Sequence, residues 1–371
     1  MVGTQRDRHN ALMTRRVLLH VGTPKSGTSY LQDRLALNRE RLAAQGLEYV
    51  GTRTGDHFEA ALDLIGERWA GEEQVARGQW DALVTESRRA RGDILVSHEI
   101  LAAAGPDQAA RALASFPDHE PHVVLTARDL GRQVPAEWQE RVKHRGQISY
   151  VDFLKALHRN HSREERPSWF WRVQHLPRIL ETWGRGLPPE RVHLVTVPPP
   201  GSPSGLLWER YTRVLGMADP LALEDSTTTN ASLGGPEVTM LRELNVALAE
   251  RGVPRPVYVE WVREAIVREV LAERPSMRPA TVPPRRRAWV EAISQEWRDA
   301  IEASGVDVVG DLDDLAPVWP VERRWPNPDL ADRAAVADAA IESLAHVLAA
   351  IEPEAPRITS RVSRLTRRLQ G

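Results

Sequence analysis

The stretch RVLLHVGTPKSGTSYLQ, Arg16 to Gln32, decides how the chain is to be read. Arg16 to Val21 is a short apolar run rich in Val and Leu, which reads as a buried parallel strand. Ser26 to Gln45 reads as a helix, with Leu31, Leu35 and Leu42 at near-helical spacing and Gly46 as its stop. A strand that ends in a glycine turn and opens a helix aims free backbone N–H groups and the positive end of the helix dipole at one spot. That spot binds phosphate. Ser26, Thr28 and Ser29 add hydroxyl donors. The lysine, however, is displaced. A Walker A loop reads G-x-x-x-x-G-K-[ST]. Gly22 and Gly27 have that spacing, but Thr28 stands where the lysine belongs, and Lys25 comes two residues before the second glycine.

The displacement bears on chemistry. A hydrolytic nucleotidase needs its lysine after the second glycine and an Asp on a neighbouring strand to hold Mg²⁺. The neighbouring strand candidates end in Ser97-His98-Glu99 and in Ala127-Arg128-Asp129. Asp129 is the one candidate for that acid, and it follows an arginine, which is awkward beside a metal. A lysine inside the loop can instead sit over the leaving oxygen of a phosphate ester. There it neutralises charge that develops as a group is transferred away, with no metal needed.

Three more runs read as strands: Asp93 to Val96, His122 to Thr126, and Arg191 to Val197, the last closed by three prolines. Helical stretches separate them, as in βαβ units with a mostly parallel sheet. Beyond about Gly216 strand signals nearly vanish, and 237–250, 257–273, 285–303 and 330–351 read as helices. The expected fold class is α/β: a P-loop-like parallel sheet flanked by helices, with a mostly helical C-terminal third. The expected division is a disordered leader (1–14), an α/β core (15–225), a helical region completing the same domain and covering the site (226–351), and a basic amphipathic tail (352–371). That tail carries Ile358, Val362, Leu365 and Leu369 on one face among arginines. It is a candidate to touch an anionic membrane or a partner, or else to pack on its own body.

Composition narrows the class. The 371 residues are 42% hydrophobic and 27% charged, with a formal net charge of -2, so the chain is globular and not a general nucleic-acid binder. No cysteine is present, which excludes disulfides, thiolate catalysis and cysteine-ligated metals, and fits a cytoplasmic location. No apolar run reaches the ~18 residues of a membrane span.

Thr23-Pro24-Lys25-Ser26-Gly27-Thr28-Ser29 resembles the 5′-phosphosulfate loop of sulfotransferases that use 3′-phosphoadenosine 5′-phosphosulfate (PAPS) on a P-loop-like fold. The resemblance runs from about Arg15 to Leu244. It implies that Lys25 contacts the bridging oxygen, that Ser26, Gly27, Thr28 and Ser29 hold the 5′-phosphate, and that Tyr30 lies near the adenine. It implies a strand-end arginine, Arg128, on the 3′-phosphate. The serine that usually follows eight residues on is Ala136 here, and Arg132 or Gln133 is a candidate substitute. It implies an acceptor base at the end of the second core strand, where His98 and Glu99 both stand. Histidine, with an unperturbed pKa of about 6.5, is favoured there, and the rate is expected to fall on acidification near pH 6 to 7. Asn230, Ser232 and Leu233 are candidates for a loop over the cofactor, or simply make the turn before a helix. The segment Trp169 to Gly184 looks like a helix of bacterial relatives.

Other signals are weaker. His158 with His161, and His119 with His122, have spacings zinc could use but lack further ligands. Val308 to Leu315 carries three aspartates without an EF-hand pattern and reads as a loop with caps. The expected function is sulfuryl transfer from PAPS, as co-substrate, to a hydroxyl or amine of a small-molecule, sugar or lipid acceptor, without metal. The alternatives are an atypical P-loop kinase or NTPase, and a non-catalytic nucleotide-binding protein.

Overall fold

The computed structural model describes residues 15–53, 55–67, 76–161, 167–219, 223–226, 232–275, 278–321 and 324–351. The expected leader, the basic tail and Asn230 lie outside them. The sheet has six parallel strands, four of them on the apolar runs: β1 (Arg16–His20), β2 (Leu47–Tyr49), β3 (Asp93–Ser97), β4 (Glu120–Ala127), β5 (Val192–Thr196) and β6 (Asp307–Val309). They form one sheet in the order β2-β3-β1-β4-β5-β6, an α/β fold with β1 inside and helices flanking it. Val17, Leu18 and Leu19 of β1 are wholly buried, as a central parallel strand covered on both faces demands.

Two strands were missed in the sequence. β2 is three residues with a glutamate in the middle, too short for a period to show. β6 lies in the aspartate-rich run that reads as a loop with caps. The capping part holds: Asp311 accepts the N–H of Asp313 at the start of a 3₁₀ turn. Helices differ in detail. The expected 26–45 helix breaks at Asn38 into α1 (Thr28–Leu37) and Arg39–Ala44. The expected 169–184 helix breaks at His175, whose ring accepts the N–H of Arg178.

The chain forms two compact units. The first comprises Met1–Trp138, Tyr150–Thr229 and Thr281–Trp325, and holds the sheet. The expected helical region is therefore divided, because Thr281–Trp325 brings β6 to the sheet. The second comprises Gln139–Ser149, Asn230–Ala280 and Pro326–Gly371. Within it Asn245 donates to the carbonyls of Val142 and Gly146 and accepts from the Tyr258 hydroxyl. Tyr258–Val270 winds as a wide helix with i→i+5 bonds.

The aspartates after β6 lock it to β5. Thr196 Oγ1 donates to Asp314 Oδ2 at 2.7 Å and accepts the Asp311 N–H at 3.2 Å. Arg210 pairs with Asp314 and donates to the Thr196 carbonyl at 2.9 Å. The approach is close enough that a Cβ on Gly310, whose φ is +126°, would lie 2.0 Å from Thr196 Oγ1. Arg210 and Asp314 are both largely buried, so truncating one strands the other's charge. Arg210→Ala is expected to destabilise the fold by about 3–5 kcal/mol, and Arg210→Ala with Asp314→Asn by less. Denaturant unfolding measures both; equal losses would show that the charge is not what matters.

Candidate functional site

The end of β1 lies between the ends of β3 and β4, where open α/β sheets place their ligands. The loop that leaves it is bound down on its inner side. Thr23 N–H donates to the Thr126 carbonyl at 3.0 Å, and the Gln133 and Gln174 side-chain amides both donate to the Pro24 carbonyl, at 2.8 and 2.9 Å. The backbone is left-handed at Lys25 (φ 67°) and at Gly27 (φ 85°). Non-glycine residues adopt that region rarely, at a cost of about 1–3 kcal/mol, and such strain gathers at ligand sites. Gly27 is needed twice over: a Cβ there would also sit 2.5 Å from Leu207 Cδ2.

α1 begins at Thr28 with no side chain capping it and no acidic residue in its first turn. The N–H groups of Thr28, Ser29 and Tyr30 open the helix and have no intrahelical acceptor. The Ser29 hydroxyl is exposed there. Ser26 differs from expectation. Its side chain is fully buried and its hydroxyl donates inward, to the Thr23 carbonyl at 2.6 Å. Thr28 is also buried. The hydroxyl expected to face a phosphate from Ser26 instead ties the loop to the core.

Arg128 follows β4 directly, and its Nη1 donates to the Lys25 carbonyl at 3.3 Å. Its Nε is buried without a partner, and among the described residues no carboxylate pairs with it. Burial, with Arg132 adding repulsion and Asp129 offsetting part of it, pulls its pKa down to about 10, so it remains a cation. Arg132 is otherwise engaged. It pairs with Asp129 and donates to the carbonyls of Pro198 and Val197, at 3.0 and 3.3 Å. Asp129 in turn accepts the Arg132 N–H and starts the helix Leu130–Lys143. Tyr30 is half-buried, and its hydroxyl accepts from Arg34 at 2.7 Å.

His98 and Glu99 follow β3. The His98 ring closes a short 3₁₀ turn: its Nδ1 accepts the Ile100 N–H at 3.2 Å. A backbone N–H can only donate, so Nδ1 is bare and the proton of the neutral ring sits on Nε2. Burial lowers its pKa, keeping it neutral. Glu99 Oε2 accepts from Gln32 Nε2 at 3.0 Å. Burial pushes the Glu99 carboxyl up, but His98, its own backbone N–H, Gln32 and the Lys25 ammonium together outweigh that and bring it below its ordinary value. Lys25, Arg128 and Glu99 thus gather at the ends of three adjacent strands. The sequence reading did not single out Gln32, although it stands one turn into the helix behind the loop.

In the second unit Leu233 is fully buried, and both its backbone groups are held by the Gln139 side chain. It makes the turn before the helix Gly235–Glu250. Ser232 is exposed. His158 and His161 pack edge-on against Trp289 and Trp171, and His122 bonds His193 at 2.9 Å. Among the described residues no three His, Asp or Glu side chains gather to hold a metal ion, and no helix is long and apolar enough to cross a membrane.

No protein-family model matches the chain, and no curated protein matches it significantly. Among solved structures, a sulfotransferase from Alicyclobacillus acidocaldarius is similar, with 16% identity over 66% of this chain and 98% of that one and a TM-score of 0.40.

Burial beneath the site has a measurable consequence. His20 is held down to about 3 and His57 to about 4, in both cases mainly by burial, so both are neutral in the fold. An unfolded imidazole takes a proton near pH 6.5. Between that value and the folded one the unfolded chain binds more protons, so the full contribution to stability exists above about pH 6.5 and is lost as pH falls. The unfolding temperature is expected to drop steadily from pH 6.5 to 4, and less steeply in His57→Gln. Thermal scans across that range check it; identical slopes would assign the loss to other groups.

Proposed function

We propose that the chain transfers a sulfuryl group from PAPS to a hydroxyl or amine acceptor. One observation carries the reading: an uncapped helix start, a lysine inside the strained loop before it and a half-buried arginine that pairs with no carboxylate among the described residues converge at the ends of adjacent strands. That is a cradle for a substrate with phosphates at two positions. The N–H groups of Thr28, Ser29 and Tyr30 would take the 5′-phosphate and Arg128 the 3′-phosphate. The acceptor oxygen or nitrogen attacks sulfur, the bond from sulfur to the bridging oxygen breaks, and its electron pair stays on the phosphate. Lys25 stabilises that charge. The acceptor's proton goes to a base. The geometry favours Glu99, a carboxylate kept ionised beside Lys25, over His98, whose bare nitrogen is already engaged by Ile100.

A kinase or NTPase reading is less well supported, because the carboxylate of Asp129 is committed to Arg132 and to a helix start. A thermal-shift titration separates the readings. Adenosine 3′,5′-bisphosphate without Mg²⁺ is expected to stabilise the protein; stabilisation only by ATP with Mg²⁺ would support the kinase reading, and by neither a decayed site. A location in the cytoplasm fits the absence of cysteine, and the acceptor class is open among small molecules, sugars and lipids.

Arg128→Ala is expected to weaken adenosine 3′,5′-bisphosphate binding by about 10- to 100-fold while leaving AMP binding nearly unchanged, as loss of a charge-assisted contact predicts. Calorimetry with both ligands checks it; equal losses would place the 3′-phosphate elsewhere. Lys25→Ala is expected to lower turnover on the order of 10²–10³-fold with the fold intact. Glu99→Gln is expected to cost more than His98→Ala, with a rate level from pH 8 to about 5. A fall centred on pH 6 to 7 that disappears in His98→Ala would return the role to the histidine.

A further inference from the structure

We propose that His20 is a positioning residue, which passes on the direction of a buried hydrogen-bond chain joining the phosphate loop to the Glu99 carboxylate just beyond β3 and so holds the two as one unit. Its chemical meaning rests on the sulfuryl-transfer reading above; its geometry does not. His20 is wholly buried as the last residue of β1, directly beneath the loop, and takes no part in the transfer steps. Its Nδ1 lies 2.7 Å from Ser97 Oγ on β3, and its Nε2 lies 3.2 Å from Thr126 Oγ1 on β4. It therefore bonds both neighbours of β1 at the level where the ligand would sit.

The direction of every bond follows from one end. The Thr23 carbonyl can only accept, so the single hydroxyl proton of Ser26 goes there. Ser26 Oγ, 2.7 Å from Thr126 Oγ1, must then accept the Thr126 proton. Thr126 in turn accepts from His20 Nε2–H. The neutral ring leaves Nδ1 bare, so Ser97 donates to it. Ser97 Oγ is free to accept from Gln32 Nε2, at 3.4 Å, and the same amide reaches Glu99 at 3.0 Å. Neutral imidazole suits the middle of this chain, because it carries one donor and one acceptor on separate edges. A ring protonated on Nδ1 instead would take the Thr126 proton away from Ser26 and release the loop's anchor. The Thr23 carbonyl fixes the choice at the loop end, and the His20 ring passes it on to Ser97, so Ser97 and His20 act together on a loop that Ser97 does not touch.

The full chain titrated calorimetrically with adenosine 3′,5′-bisphosphate tests the coupling. Ser97→Ala, which removes one buried hydrogen bond of the chain, is expected to weaken binding about tenfold, His20→Leu, which removes two, at least as much, and the double variant no more than His20→Leu alone. A Ser97→Ala effect undiminished in the His20→Leu background overturns the proposal. Imidazole ¹⁵N spectra of the full chain supply a second measurement that needs no ligand and no His20 variant. His20 is expected as the Nε2–H form, with its Nδ1 resonance moved by Gln32→Ala. A ring protonated on Nδ1, or one indifferent to Gln32→Ala, overturns it. If the unaltered protein does not bind the bisphosphate, the sulfuryl-transfer reading fails, and the spectra still decide whether the chain through His20 exists.

Discussion

A helix that starts directly at the end of a central strand leaves its first N–H groups with nothing in the protein to bond. That constraint governs the rest of this structure. The loop before α1 must turn sharply enough to aim those groups outward, which forces left-handed backbone at Lys25 and Gly27. Strained backbone persists only where its surroundings hold it. Gln133 and Gln174 grip the Pro24 carbonyl, Thr126 grips Thr23 and Ser26, and Arg128 grips the Lys25 carbonyl. The charges then follow. An uncapped helix start beside an arginine that pairs with no carboxylate among the described residues favours a bound anion.

The same economy divides the polar residues into two layers. Hydroxyls that look like ligand donors in the sequence, Ser26 above all, point down and bind the loop to the sheet. The groups presented at the helix start are its first backbone N–H groups and the exposed Ser29 hydroxyl. Rigidity below and charge above is what an electrostatic site requires, since donors that need not reorganise stabilise developing charge best.

Much of this was legible in the sequence, for identifiable reasons. β1, β3, β4 and β5 are continuous apolar runs because both faces are covered, and the loop's glycines and lysine are contiguous, so the strand–loop–helix unit stands out. β2 and β6 escaped because three residues carry no period, and β6 is embedded among aspartates whose role is to lock Thr196 and Arg210. Side-chain direction was the larger loss. Asp129 lies next to Arg128 and three residues before Arg132, so sequence alone does not say which it pairs; Arg132 is also bonded to the carbonyls of Val197 and Pro198, some sixty-five residues away. His98 stands out by its place at a strand end, while the bond its ring accepts from Ile100 depends on a 3₁₀ turn that composition does not announce. His20 and Gln32 drew no notice because an isolated polar residue in an apolar segment acquires meaning only from its neighbours on other strands.

The two shortest strands have a further effect. β2 and β6 are the borders of the sheet, and each is only three residues long. A long, flat border offers a row of unpaired amides on which another chain can grow. Here β2 stops at Tyr49, and the amide of Ser97 that it fails to reach is taken by the ring of His57, which stacks on Tyr49 and donates to the Val50 carbonyl. The imidazole thus does the work of a missing strand residue without offering a backbone of its own. Replacing it with a side chain that cannot accept a hydrogen bond would do more than loosen the core: it would expose a template for intermolecular pairing, and the damage would show first as aggregation.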